Sequence, residues 1–225
     1  MLNRVNGVIL FGDSVLAGTG ASDRQLGCAK LVKQVLPVPV SIRSRNRDTS
    51  KIGLERIDTD VLQQREYSHV VILFGNNDCW LDESGNPQTS TDEFIENLRQ
   101  MAVRIRGNSQ VPLFCNLQPI DNASFFKTFP EYMKFCYSTK LKLDPFLWQK
   151  KYSDDIELLC NYERIGLIDI RSKLTQQITS TISTDGIHPT DSGHRMMSER
   201  ILKALYKLDL TLTMQKGLHK SSVSL

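Results

Sequence analysis

A serine closing one apolar run, an asparagine closing another, and an aspartate three residues ahead of a histidine are the groups in this chain that could do covalent chemistry. The serine ends Val8-Ile9-Leu10-Phe11-Gly12-Asp13-Ser14. Four apolar residues before a Gly/Asp/Ser turn read as a buried strand. Leu26, Ala29, Val32 and Leu36 then follow at helical spacing, so Ser14 is expected at a strand-to-helix turn. In open α/β sheets ligands bind beyond the carboxyl ends of the strands. A side chain there is exposed, and nearby backbone N–H groups can stabilise negative charge. Gly, Asp and Ser are also ordinary turn residues, so the run gains chemical meaning only from partners elsewhere. Those partners are Gly75-Asn76-Asn77-Asp78, after the apolar run Val70–Phe74, and Asp185-Gly186-Ile187-His188-Pro189, ahead of the last amphipathic segment.

A serine hydroxyl is a weak nucleophile until a base removes its proton, and neutral imidazole can do so near neutral pH. His188 is the candidate base. Asp185 can fold back through a turn at Gly186 to accept from Nδ1, fixing the tautomer and stabilising the imidazolium. The other histidines have plainer readings: His69 enters a strand, His194 lies within the last helix, and His219 sits in the tail.

With Gly12-Asp13-Ser14, Gly75-Asn76-Asn77-Asp78 and Asp185 to His188 in this order, the chain resembles the SGNH hydrolases, the GDSL esterase/lipase superfamily, from about Val8 to Leu208. The resemblance implies a three-layer α/β/α sandwich around a five-stranded parallel sheet in flavodoxin-like order 2-1-3-4-5. Ser14 and Asn77 would then share the crevice between strands one and three. It also implies an oxyanion hole made of the Ser14 N–H, the Arg47 N–H and the Asn77 side-chain amide. That family usually has glycine before the Asp-Thr of its second segment, where this chain has Arg47. A backbone donor survives the change provided arginine tolerates the required dihedrals. Asp13 and Asp78 are expected to hold turns in shape. The expected activity is hydrolysis of a small-molecule carboxylic ester through an acyl-Ser14 intermediate. An O-acetyl-sugar esterase, an acyltransferase using the same site, and a catalytically silent carbohydrate- or lipid-binding module stand as alternatives.

The elements that must position these groups follow in order. Ser22 or Asp23 could cap the first helix. Val38–Ile42 reads as a second strand suited to an edge because of Pro39. The loop Arg43-Ser44-Arg45-Asn46-Arg47 has two open readings, a solvated turn or a contact with an anionic substrate. A helix marked by Leu54, Ile57 and Val61 follows. Ser90-Thr91-Asp92-Glu93 fits a capping box for a helix carrying Phe94, Leu98, Met101 and Ile105. Val111–Leu117 and Ile165–Ile170 read as strands four and five. More than half of the aromatic residues fall between Phe125 and Tyr162, in helical pieces broken at Pro130 and Pro145. They are either core contacts or, over 124–162, a cover for the acyl site, with Phe125 and Phe126 as substrate contacts.

The chain of 225 residues is 40% hydrophobic and fits one domain, 1–213, with a disordered tail over 214–225. The net charge of +3 is small and interspersed, which argues against nucleic acid as a partner. Five cysteines without a Cys-x-x-Cys pair argue against a disulfide framework or zinc site. No metal or cofactor is called for. Gly12 to Gly18 lacks the Lys-Ser/Thr ending of a phosphate loop, and Gly18-Thr19-Gly20 lacks the third glycine of a dinucleotide fingerprint, which disfavours a flavodoxin-like nucleotide binder. With no leader signal and no apolar run long enough for a membrane span, the expected location is cytoplasmic. Oligomeric state is not legible.

Overall fold

The continuous apolar runs become the inner strands of a parallel sheet covered on both faces, the setting in which strands need not alternate with polar residues. In the computed structural model, which describes residues 4–138 and 144–209, the strands are β1 (Val8–Gly12), β2 (Val40–Ser44), β3 (His69–Leu73), β4 (Val111–Cys115) and β5 (Gly166–Ile168). Their order is β2-β1-β3-β4-β5, all parallel, with Val8 opposite Val40 on one side and His69 on the other. This is the order the family resemblance implies. The tail over 214–225 lies outside the described residues.

Between and after the strands come α1 (Ser14–Ala17), α2 (Cys28–Val35), α3 (Ser50–Ile57), α4 (Thr91–Gly107), α5 (Asn122–Thr128), α6 (Pro130–Ser138), α7 (Pro145–Tyr162), α8 (Arg171–Gln176), α9 (Ile178–Thr181) and α10 (Asp191–Leu208). The two-residue period of β1 divides the core. Val8 and Leu10 pack with Ala29 and Val32 of α2 and with Met197, Ile201 and Leu205 of α10. Ile9 and Phe11 face Ile57 of α3, Phe94, Leu98 and Met101 of α4, and Tyr152 and Ile156 of α7. Completely burying each such side chain contributes roughly 1.5–3 kcal/mol, so both layers are anchored by β1, the strand that delivers Ser14.

Local signals account for most boundaries. Ser90 accepts from the Glu93 N–H at the start of α4, Asp144 caps α7 ahead of Pro145, and Thr190 caps α10. The first helix departs from expectation. Asp23 caps only a single 3-10 turn, Arg24–Leu26, and the helix proper starts after Gly27. The reason is a chain crossing: Gly18, at φ +97°, passes so close to Gly27 that a Cβ on Gly18 would lie 2.8 Å from the Gly27 Cα. The second strand lies two residues later than Val38–Ile42, and the fifth is only Gly166–Ile168. Within 124–162, α7 is a layer helix of the sandwich, whereas α5 and α6 lie outside the sheet's two main layers.

Candidate active site

Asp13 and Ser14 sit where β1 stops and α1 begins. The Asp13 carboxylate accepts from the Val15 N–H at 2.9 Å and from Asn76 Nδ2 at 3.0 Å, joining the ends of β1 and β3. Burial raises its pKa to about 6, with those hydrogen bonds opposing the rise. Ser14 is less open than a strand-end turn suggests, at 9% exposure, because the His188 ring approaches it. Ser14 Oγ lies 3.1 Å from His188 Nε2, and His188 Nδ1 lies 2.7 Å from Asp185 Oδ2. An ionised carboxylate can only accept, so Nδ1 carries the proton and Nε2 is left to receive one from serine.

The Asp185 turn is rigidly built. Its Oδ1 accepts from the Ser183 hydroxyl and from the Ile187 and His188 N–H groups at 2.8–2.9 Å. Burial works against ionisation here, but the hydrogen bonds from His188, Ile187 and Ser183 outweigh it and hold the carboxyl well below the usual range. Gly186 has φ +78°, and a Cβ there would stand 2.3 Å from the Phe125 nitrogen, so the turn fits directly against α5. The Asp121 N–H donates to the Gly186 carbonyl, and the Thr128 hydroxyl to that of Thr184.

Asn77 follows β3, and its Nδ2 donates to the Asp48 carbonyl at 2.9 Å, which leaves one amide hydrogen for another acceptor. Arg47, just before Asp48, has φ +68°, the left-handed conformation that glycine adopts most readily. Arginine thus tolerates a backbone region that glycine would enter without strain. Of the three loop arginines, Arg45 pairs with Asp60 at 2.8 Å, Arg43 donates to Ser41 and Gln64, and Arg47 is exposed. Asp78 accepts from the Ser50 N–H and hydroxyl, tying the β3 loop to α3. Asp13 and Asp78 thus shape turns, as expected.

Several participants had no reading in the sequence. Asn76 Oδ1 accepts from Gln118 Nε2 at 2.8 Å and Gln149 Nε2 at 3.0 Å, and Gln149 Oε1 accepts from Arg171 at 2.7 Å. Asn76 stood inside the motif, but its partners come from the loop after β4 and from α7, with Arg171 of α8 one hydrogen bond further on, and no local spacing connects them. The signal that could have marked Arg56 is its i, i+4 spacing to Asp60.

Phe125 is buried beside the Trp80, Phe126, Phe129 and Tyr132 rings, at centroid separations of 5.1–5.9 Å. It borders a cavity of about 30 Å³ also lined by Asn76, Trp80, Ile120, Trp148 and Ile187. Phe126 is half-buried and forms no part of that wall. Among the described residues no group of three or more His, Cys, Asp or Glu is arranged to hold a metal ion, and no helix is long and apolar enough to cross a membrane.

The chain is similar to proteins already known. A curated relative, the GDSL esterase/lipase WDL1 of Oryza sativa subsp. japonica, is 22% identical over 144 residues; the match covers 61% of this chain and only 53% of that protein, so the chain spans about half its length. The fold is similar to a lipase/acylhydrolase from Enterococcus faecalis, with TM-score 0.71, 23% identity, and 94% and 99% of the two chains covered. A catalytic mutant of an acetylxylan esterase from Geobacillus stearothermophilus gives TM-score 0.69 at 15% identity, covering 90% of this chain and 94% of that one. The family model of the GDSL-like lipases and acylhydrolases matches residues 10–196, a span that includes both Ser14 and His188. The chain therefore belongs to the GDSL-like lipase/acylhydrolase family.

Proposed function

We propose that this chain is a serine-dependent carboxylic-ester hydrolase that works through an acyl-Ser14 intermediate on a small ester with a short acyl group. The observation that carries the reading is the unbroken line Asp185–His188–Ser14, at 2.7 and 3.1 Å, in a chain of this family. Ser14 Oγ attacks the ester carbonyl as His188 Nε2 takes its proton. The resulting oxyanion lies against the Ser14 and Arg47 N–H groups and the free Asn77 amide hydrogen. Collapse expels the alcohol, which takes the proton back from His188; water then repeats the sequence on the acyl-enzyme. A silent binding module would have no use for so complete a proton path. The five cysteines, all buried and none in a disulfide, suit a reducing compartment such as the cytoplasm.

The oxyanion assignment separates a side-chain donor from a backbone donor. Asn77→Ala should lower kcat by roughly 10²–10³ with a smaller change in KM, the usual cost of one lost donor. Arg47→Gly keeps its N–H and adopts the same turn without strain, so kcat on a neutral ester should fall much less. If its guanidinium instead binds substrate, KM should rise for anionic esters alone, more so at low salt. Measuring both variants on neutral and carboxylate-bearing esters checks this; a large kcat loss for Arg47→Gly with Asn77→Ala near wild type would reverse the assignment.

Acyl length is set, on this reading, by the cavity behind Asn76 and Ile187. The cavity is lined by neither Ser14 nor His188, and at about 30 Å³ it would hold an acetyl methyl sooner than an octanoyl chain if the acyl group enters it. Acetylated sugars are accordingly the second reading, and they are what the Geobacillus neighbour is named for. A p-nitrophenyl series from acetyl to octanoyl, together with an acetylated xylooligosaccharide, tests both. Phe125→Ala would cost roughly 3–5 kcal/mol of stability, so Phe125→Leu is the better probe. It should shift preference toward longer acyl groups by more than its melting temperature moves; unchanged selectivity with a large stability loss would reduce α5 to a packing role.

A further inference from the structure

One guanidinium reaches both of the chain segments that would supply the backbone oxyanion donors. Arg56, on α3, is 8% exposed. Its Nη2 donates to the Gly12 carbonyl at 3.2 Å, two residues before Ser14, and its Nε donates to Asp48 Oδ2 at 2.6 Å, one residue after Arg47. Nη1 donates to the Arg43 carbonyl at 2.9 Å and to Asp60 Oδ2 at 2.6 Å. The guanidinium carbon lies 4.4 Å from the Phe11 ring centroid, so its flat face rests on the sheet while its edge spends its donors on the loops. The Asp48 carbonyl receives the Asn77 amide. Asp48 is thus gripped by Arg56 through its carboxylate and by Asn77 through its backbone.

We infer that Arg56 is a positioning residue for ester hydrolysis: it fixes the spacing between the Ser14 turn and the Arg47–Asp48 turn. The inference rests on the oxyanion-hole reading above. Two physical points favour it over a stabilising ion pair. Buried ion pairs are weak stability devices, because desolvation cancels much of their attraction. And a non-glycine residue at φ +68° persists only where its surroundings over-determine it, which is what the hydrogen bonds to Asp48 do for the arginine before it. Lysine cannot replace this fork, since an ammonium is a point charge without fixed donor directions.

The test is Arg56→Lys assayed on p-nitrophenyl acetate, with active sites counted by fluorophosphonate titration so that unfolded protein does not enter kcat. The expected result is a kcat per site lower by about 10–100-fold with KM within about threefold, the size of effect that an ångström of misplacement produces. Adding Arg47→Gly to that variant should recover at least about fivefold in kcat, since glycine holds the turn without the clamp. A purely structural role would lower the melting temperature and give no such recovery. Should Arg56→Lys fail to fold, Asp48→Asn, which retains shape and weakens the same contact, should show the same kcat-selective loss at smaller size. Wild-type kcat per site in the folded variant, or a loss that Arg47→Gly does not relieve, overturns the role of Arg56 while Asn77→Ala remains impaired. If Asn77→Ala is itself unimpaired, the oxyanion reading fails and takes this inference with it.

Discussion

Replacing Ser14 by alanine is expected to take ester hydrolysis below about a hundredth of the wild-type rate, and labelling by a fluorophosphonate should vanish. The loss of a triad serine in other hydrolases costs about 10⁶ in kcat, leaving only what binding and the oxyanion donors achieve alone. The fold should survive, because the Oγ contact described here is the one to His188 Nε2, on a half-buried ring. The strand that carries the turn is held by Val8, Leu10, Ile9 and Phe11 rather than by the hydroxyl. Turnover above a hundredth of wild type, with a normal circular dichroism spectrum, would take the nucleophile's role away from Ser14.

His188→Ala should be nearly as damaging, and its pH behaviour carries a sign. General-base action needs the neutral ring, so kcat/KM should be lost wherever the imidazole is protonated. Asp185 should add no limb of its own, since the hydrogen bonds from His188, Ile187 and Ser183 keep it ionised throughout the working range. The same depressed carboxyl favours the folded state above the usual carboxylate range, and that contribution is lost as pH falls through its lowered value. Neither buried histidine can substitute. His194 is committed from Nε2 to the Thr19 carbonyl, and His69 meets Ser68 at the start of β3, the end of the strand opposite to Asn77. A His188→Ala enzyme with the wild-type rate and pH limb would assign the base elsewhere.

The residues that could be read from sequence are those whose chemistry sits beside a strand end. Ser14, Asn77, Asp185 and His188 each follow an apolar run or precede a capped helix, so type and local context together mark them. The resemblance alone implies a donor at Arg47, and only the fold shows that arginine accepts a left-handed turn there. Asn76, Gln149, Arg171 and Arg56 act through partners remote in sequence, such as the 73-residue separation between Asn76 and Gln149. Helical periodicity is blind to such pairings. It also missed the break before α2, because the crossing of Gly18 over Gly27 is a fact of space rather than of spacing. Phe125 looked like a substrate contact on composition. It lies under Trp80 and against the Gly186 turn, so any influence on substrate comes through the cavity wall.

The five cysteines, all buried and none in a disulfide, lie in five different places of this architecture: Cys28 in α2, Cys79 beside the cavity, Cys115 at the end of β4, Cys136 in α6 and Cys160 in α7. Burial pushes the Cys28 and Cys160 thiols up to about 12 and raises those of Cys79, Cys115 and Cys136 as well. Since the thiolate is the reactive form, an alkylating reagent at neutral pH must wait for the chain to open. The protein thereby carries its own set of clocks for local breathing. Modification of Cys79 times the opening of the cavity wall, while Cys28 and Cys115, which share one core layer, time the separation of the sheet from its helices.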